Sequence, residues 1–217
     1  MPRAPTWAYT LRMRTTTWET RRATGDDLGR IAAVLARAFQ DDPMWRWALG
    51  RDGTDERRAR LDRFFGGIAR VLHPRNELTF TAGDFAGAAV WMAPDRWHFS
   101  LADEARLAPT VLAAFGAAGT VRLLRLLGGV ERVHLREPHY YLFAIGADPE
   151  HQGRGVGAAL LAPMLARCDA EKLPAYLESS NPANLPFYRR HGFVATGELR
   201  PGGDAGPLVT LMRRDPR

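Results

Sequence analysis

The sequence predicts an α/β domain, an α+β mixed sheet flanked by helices, and three observations carry that prediction. Tyr140 to Ile145 is an unbroken apolar run, the pattern of a strand buried on both faces. Helical text from Gly155 to Ala170 follows it, and a second strand reads over Pro174 to Leu177. Upstream, Leu78 to Ala82 and Ala86 to Met92 read as a hairpin turning at Gly83-Asp84. A strand–helix–strand unit beside a hairpin implies strands of both directions in one sheet.

The remaining elements follow in order. Trp18 to Arg22 alternates weakly as a first strand. Thr24 with Asp27 three residues on reads as a helix start, and Leu28, Ile31, Leu35 and Phe39 mark one stripe of a helix over 28–39. Asp42-Pro43 breaks that helix. A second helix is expected over Glu56 to Leu72, ending before Pro74. Pro94 ends the hairpin. Residues 100–136 are rich in Ala, Leu and Arg and read as an insertion of one or two helices, interrupted near Gly116 and at Gly128-Gly129. Ala183 to Arg190 is a short helix. Phe193 to Glu198 and Leu208 to Met212 are closing strands, joined by a loop over Pro201 to Pro207. Pro163 falls inside the helix over 155–170 and removes one of its hydrogen bonds.

The 217 residues suit one domain, and 46% hydrophobic residues suffice for a core. Residues 1–15 are expected to be a flexible N-terminus and 16–217 the folded domain. The net charge of +6 is spread without a block of like charges, so no nucleic-acid partner is expected, while an anionic ligand is favoured. Cys168 is the one cysteine, which excludes an intrachain disulfide and suits a reducing cytoplasm. No apolar run of about 18 residues is seen, so no membrane span is expected. None of the six histidines shows a metal-ligand spacing, and no metal is expected.

Gln152-Gly153-Arg154-Gly155-Val156-Gly157 follows the central strand and opens a helix. The first N–H groups of a helix lack intrahelical partners and, with the helix dipole, attract phosphate. The spacing matches neither a Walker A loop nor the dinucleotide fingerprint. Tight packing of a helix start is the alternative reading.

With its context the segment resembles the GNAT superfamily of N-acetyltransferases. The superfamily signature Q/R-x-x-G-x-G/A after the central strand is matched by Gln152, Gly155 and Gly157. A later motif is matched by Asn184, Tyr188 and Gly192-Phe193 within Asn181-Pro-Ala-Asn-Leu-Pro-Phe-Tyr-Arg-Arg-His-Gly-Phe. The similarity is close over residues 139–198 and looser elsewhere. Within the superfamily the text is most similar to puromycin N-acetyltransferase-like bacterial enzymes, through the break at Asp42-Pro43, Ala89-Val-Trp91 with Pro94, and Asp148-Pro-Glu-His-Gln-Gly153.

The resemblance implies acetyl-CoA as cosubstrate and direct acyl transfer to an amine in a ternary complex. It implies two splayed strands with a slot for the pantetheine arm, met by Ile145, Gly146 and Ala147. It places the pyrophosphate on Gln152, Gly153, Arg154, Gly155, Val156, Gly157 and Ala158, with Asn184 also at the cofactor. Tyr188 would protonate the departing sulfur; packing of the short helix is the alternative.

Other residues carry two readings each. Glu178, at the end of the second strand, would accept the amine proton or make an ordinary ion pair. Asp41 and Asp42 would bind a cationic amine, or Asp42 would only form the turn before Pro43. Trp45, Trp47 and Trp91 would form an aromatic wall or lie in the core. His151 is beside the phosphate loop. Arg189 and Arg190 read as solvated, and Cys168 as a buried structural thiol.

The expected function is N-acetylation of a small-molecule amine, such as an antibiotic, by a cytoplasmic monomer or homodimer. Acetylation of protein lysines or N-termini is the first alternative. A non-catalytic acetyl-CoA sensor is the second. A deep aromatic pocket would argue for small molecules and an open groove for peptides.

Overall fold

A computed structural model describes residues 18–50, 53–76 and 78–217. The expected flexible segment 1–15 lies outside the described residues. Seven strands form one mixed sheet in the order β1-β2-β3-β4-β5-β8-β6. They are β1 (Thr20–Arg22), β2 (Thr79–Ala82), β3 (Gly87–Met92), β4 (Tyr140–Ala147), β5 (Ala175–Ser179), β6 (Val194–Leu199) and β8 (Val209–Arg214), while β7 (Pro201–Asp204) lies outside that sheet. The pair β4–β5 is parallel and the others are antiparallel.

Helix α1 (Leu28–Phe39) has the expected bounds and buries Ile31, Val34 and Leu35. Its start is fixed by Asp27, whose carboxylate accepts the Thr24 N–H at 2.8 Å and a two-pronged contact from Arg21. Asp42-Pro43 ends the run, as expected, but also begins α2 (Pro43–Leu49), which the sequence reading missed. Asp42 accepts the Met44 N–H at 2.9 Å, and Pro43 sits where a missing N–H costs nothing. Helix α3 (Thr54–Asn76) is longer than expected and carries Pro74 in its last turn.

The inserted segment is α4 (Leu101–Val133), opened by a capping box between Ser100 and Asp103. It breaks once, at Gly116 (φ 62°, ψ 178°); the expected second interruption at Gly128-Gly129 stays helical. Contrary to the expectation of no span-length apolar run, α4 is long and apolar enough to cross a bilayer, with a mean hydropathy of 1.5 over 18 residues. Helices α5 (Val156–Glu171) and α6 (Leu185–Arg190) follow, with Pro163 inside α5. The expected loop 201–207 contains β7.

Two apolar layers sandwich the sheet. On one face α1, α2, α3 and α4 bury Leu35, Trp45, Phe65 and Phe115 with Val90 and Ala144. On the other, α5 and α6 bury Leu160, Met164 and Tyr188 with Trp91, Leu142 and Leu177. A bulge in β4 couples these layers to the site. Val90 pairs with Ala144 but Trp91 pairs with Leu142, so Phe143 is an extra residue. A bulge bends its strand and re-aims side chains. Phe143 and Ala144 consequently face the same layer.

Candidate active site

The β4–β5 ladder holds only at Tyr140↔Ala175 and Tyr141↔Tyr176, just before the Phe143 bulge. Beyond Tyr141 the two strands part. The edge of β4 that faces β5, through Ile145, Gly146 and Ala147, is left without a ladder partner on that side. Such an edge binds an extended, amide-bearing chain as a strand would. A slot of this kind suits the pantetheine arm that the sequence resemblance implies.

The slot leads to the start of α5. Gly155 stands at its N-cap with φ 85° and Gly153 precedes it with φ 73°. An added Cβ would meet nothing within 4 Å at either, so these positions need glycine for their dihedrals and not for space. No side chain caps the helix, which leaves the N–H groups of Val156, Gly157 and Ala158 for an anion. Gly157 packs against the Phe187 ring, 3.0 Å from where its Cβ would stand. Gln152 Nε2 reaches back to the Ala147 carbonyl at 3.4 Å, and Arg154 is exposed beside the loop. Trp18 Nε1 donates to the Arg154 carbonyl at 2.7 Å and its ring meets His151 edge-on at 5.5 Å. Unpartnered helix-start amides, positive-φ glycines and a neighbouring guanidinium fit a diphosphate.

On the opposite side of the slot is a cavity of about 430 Å³. Aromatic rings from four elements line it: Phe39, Trp45, Phe64, Phe65, Tyr141 and Phe143. Helix α4 supplies Leu107, Leu123, Leu127 and Val130, and so forms a wall. Asp42, Glu104, Glu178, Ser180, Asn184 and Tyr188 bring polar groups to it. The cavity is thus apolar with carboxylates as its charged groups.

Asp42 is buried and Ser180 Oγ lies 2.7 and 2.9 Å from its two oxygens. Burial pushes its pKa up, against the hydrogen bonds from Ser180 and Met44. Tyr188 is buried in α6, its ring packed on Phe187 and Phe193. Burial, then the Asp42 charge, pushes the phenol pKa far up, so it keeps its proton at any physiological pH.

Glu178 has richer company than a strand-end ion pair. Its Oε1 lies 3.1 Å from His134 Nδ1, and His134 Nε2 lies 3.1 Å from His139 Nε2. The Tyr141 and Tyr176 phenols both face the same carboxylate, and the Tyr176 hydroxyl has no hydrogen-bond partner among the described residues. The ring nitrogens point at each other in a row and do not converge on a point; among the described residues no group of three His, Cys, Asp or Glu is arranged to hold a metal.

The structure therefore brings Asp42, Trp45, Ile145, Glu178, Asn184 and Tyr188 to one cavity, with Gln152 to Ala158 at the adjoining helix start. Two expected substrate residues are corrected. Trp91 is fully buried under α5, because alternation along β3 turns it to the other face of the sheet. Asp41 points into solvent, its carboxylate 3.6 Å from Arg57. Trp47 packs at the edge of the core and does not line the cavity. Cys168 is buried, which pushes its thiol up to about 12 and keeps it unreactive. Sequence reading missed His134, His139 and Ser180. Four residues separate the two histidines across an irregular turn, and no periodicity marks them.

Known proteins resemble the chain over this same frame. Residues 78–193 match the family profile described as the acetyltransferase (GNAT) family. An uncharacterised N-acetyltransferase of Schizosaccharomyces pombe is 30% identical over 182 residues, covering 80% of this chain and 73% of that protein. The N-alpha-acetyltransferase RimI of Mycobacterium tuberculosis is 34% identical over 93 residues, 40% of this chain and 56% of its own. Among solved structures, one described as histone acetyltransferase HPA2 and related acetyltransferase from Corynebacterium glutamicum superposes with a TM-score of 0.67 at 26% identity, covering 93% of this chain and 97% of that chain.

Proposed function

The chain belongs to the GNAT acetyltransferase family, and from that premise we propose that it transfers an acetyl group from acetyl-CoA to the primary amine of a small, largely apolar molecule. The observation that carries the choice of acceptor is the 430 Å³ cavity, walled by aromatic rings and by α4. That volume is in the usual range for small-molecule sites. A peptide acceptor would need an open groove.

In this reading the chain's own groups divide the work. The start of α5 holds the donor's pyrophosphate and the free edge of β4 holds its amide arm. Asp42 and Glu178 attract the acceptor as an ammonium into an apolar site, where charge recognition is strong. The amine must then lose a proton, and in this reading Glu178, which lines the cavity, takes it. The amine nitrogen bonds the acyl carbon as the carbon–sulfur bond breaks, and Tyr188 gives the sulfur its proton.

Two measurements test this. Saturating acetyl-CoA should raise the melting temperature, since ligand at about 100 times its Kd adds about 2.7 kcal/mol to the native state. Next, CoA release should be screened with arylalkylamines, aminonucleosides, and peptides with free N-termini or lysines. Turnover with the small apolar amines supports the proposal; turnover with peptides alone replaces the acceptor by protein. Tyr188→Phe should lower kcat about 100-fold or more with the acetyl-CoA Kd unchanged. Unaltered biological function in that variant would favour the sensor reading.

A further inference from the structure

The imidazoles behind Glu178 have a fixed proton count, and the inference from it rests on Glu178 being the base. His139 Nδ1 lies 2.8 Å from the Glu137 backbone oxygen. A carbonyl only accepts, so Nδ1 carries a hydrogen. In the neutral ring Nε2 is then an acceptor, while a second hydrogen on that ring would already be a proton in excess of two neutral imidazoles. His134 Nε2, 3.1 Å away, must then donate. That makes Nδ1 the lone-pair nitrogen of a neutral His134, yet it faces Glu178 Oε1 at 3.1 Å. Two acceptors at that distance repel, so a further proton lies between them. The row holds one proton more than a carboxylate with two neutral imidazoles.

The surroundings support storage of that proton. His134 is wholly buried and Glu178 nearly so. Trp97, from the segment between β3 and α4, stacks on His134 at 3.7 Å and 27°, with His98 on its other side. Tyr141 of β4 and Tyr176 of β5 face the carboxylate. The Glu137 side chain pairs with Arg213 of β8, and its charge also reaches His139.

We propose that His134 and His139 are positioning residues that hold the proton which Glu178 takes from the acceptor amine, so that the base is a carboxylate–imidazole–imidazole row and not a lone carboxylate. The proton leaves the amine nitrogen as that nitrogen bonds the acyl carbon. It comes to lie between Glu178 Oε1 and His134 Nδ1, and is lost to solvent after the product departs. The row with its proton is the loaded form; turnover begins from the form one proton poorer. That poorer form must leave two lone pairs facing each other somewhere along the row. The row accordingly holds its proton more firmly than a lone carboxylate would.

The test is the pH dependence of kcat/KM in a set of variants. Glu178→Gln examines the base itself, with a loss of about 100-fold or more expected. If turnover survives, the reading of Glu178 falls, and this inference with it. With Glu178 in place, the wild type is expected to show an acid limb set by the row as a whole and not by a lone carboxylate. His134→Gln and His139→Phe should move it down by about one to two pH units and lower kcat about tenfold, while the acetyl-CoA Kd stays. His139→Gln offers an amide oxygen to His134 Nε2 and should recover part of both. A limb that stays in place in His134→Gln overturns the row and leaves Glu178 as a lone base. Ring ¹⁵N shifts of the wild type give an answer that needs no variant to fold. Below the acid limb one proton beyond two neutral rings is expected, on an imidazole or on the Glu178 carboxyl as read by its ¹³C shift, and two neutral rings beside an ionised carboxylate there overturn the proposal.

Discussion

Ser180 Oγ stands between the two carboxylate oxygens of Asp42, 2.7 Å from one and 2.9 Å from the other, and so ties the end of β5 to the start of α2. Asp42 thereby does two structural jobs, capping α2 through Met44 and anchoring Ser180, while presenting negative charge to the cavity. The turn-forming and amine-binding readings of its sequence position are compatible. Asp42→Asn separates them, because an amide oxygen still caps the helix and still accepts from Ser180. The amine KM should rise about 10- to 100-fold, the value of a charged hydrogen bond, with little change in melting temperature. Asp42→Ala should in addition cost about 1 kcal/mol of stability through the lost cap. Steady-state kinetics beside thermal melts check both.

Trp18 offers a test of the phosphate loop from outside it. Its indole N–H holds the Arg154 carbonyl at 2.7 Å, and its ring fills the space against Gly83, where a Cβ would come within 3.1 Å. Trp18→Phe keeps most of the packing and removes the hydrogen bond. The expected result is an acetyl-CoA Kd raised about fivefold, the effect of about 1 kcal/mol, with kcat at saturating donor unchanged. Titration calorimetry measures it, and an unchanged Kd would mean that the loop holds its shape unaided.

The acid side of stability has its own marker. Asp169 accepts both Arg214 guanidinium nitrogens at 2.8 Å and the Arg217 N–H at 2.7 Å. The Arg214 hydrogen bonds, ahead of the Arg217 N–H, hold its pKa down at about 2, against 3.8 unpaired. A depressed folded pKa means that the unfolded chain binds the proton first as pH falls. The stabilisation is then complete above about pH 4 and disappears as pH drops through about 2. Asp169→Asn should melt about 3–6 °C below wild type near neutral pH. That gap should close as pH falls towards 2. A gap independent of pH would assign the loss to packing.

Much of the frame was legible in the sequence because it is written locally. The α1 stripe, the Thr24–Asp27 start and the glycines before α5 are all set by residues within a turn of one another, and they appear where expected. The site was legible only where a motif carries it, at Gln152 to Gly157, Asn184 and Tyr188. Trp91 was misplaced because a tryptophan in a strand gives no sign of which face it takes, and the alternation along β3 settles that. The Phe143 bulge shows only in the pairing of two strands. The Glu178–His134–His139 row joins the end of β5, the segment after α4 and the residue before β4, so no window of sequence contains it.

The break in α4 couples a backbone dihedral to the cavity wall. Gly116 holds φ 62° with ψ 178°, a region closed to residues with a Cβ, while an added Cβ would meet no atom within 4 Å. Gly116→Ala therefore acts through the backbone alone, at about 1–3 kcal/mol, and not through a clash. The strain is relieved only if the two halves of α4 re-aim. The half after Gly116 carries Leu123, Leu127 and Val130 into the cavity, and Arg122 pins it to α2 through the Ala48 carbonyl at 3.0 Å. The start of α5 lies on the opposite face of the sheet and shares none of these contacts. The variant should raise the amine KM severalfold and lower the melting temperature by several degrees, with the acetyl-CoA Kd within twofold of wild type. Equal losses of amine and donor affinity would show that α4 supports the whole slot and not the acceptor wall alone.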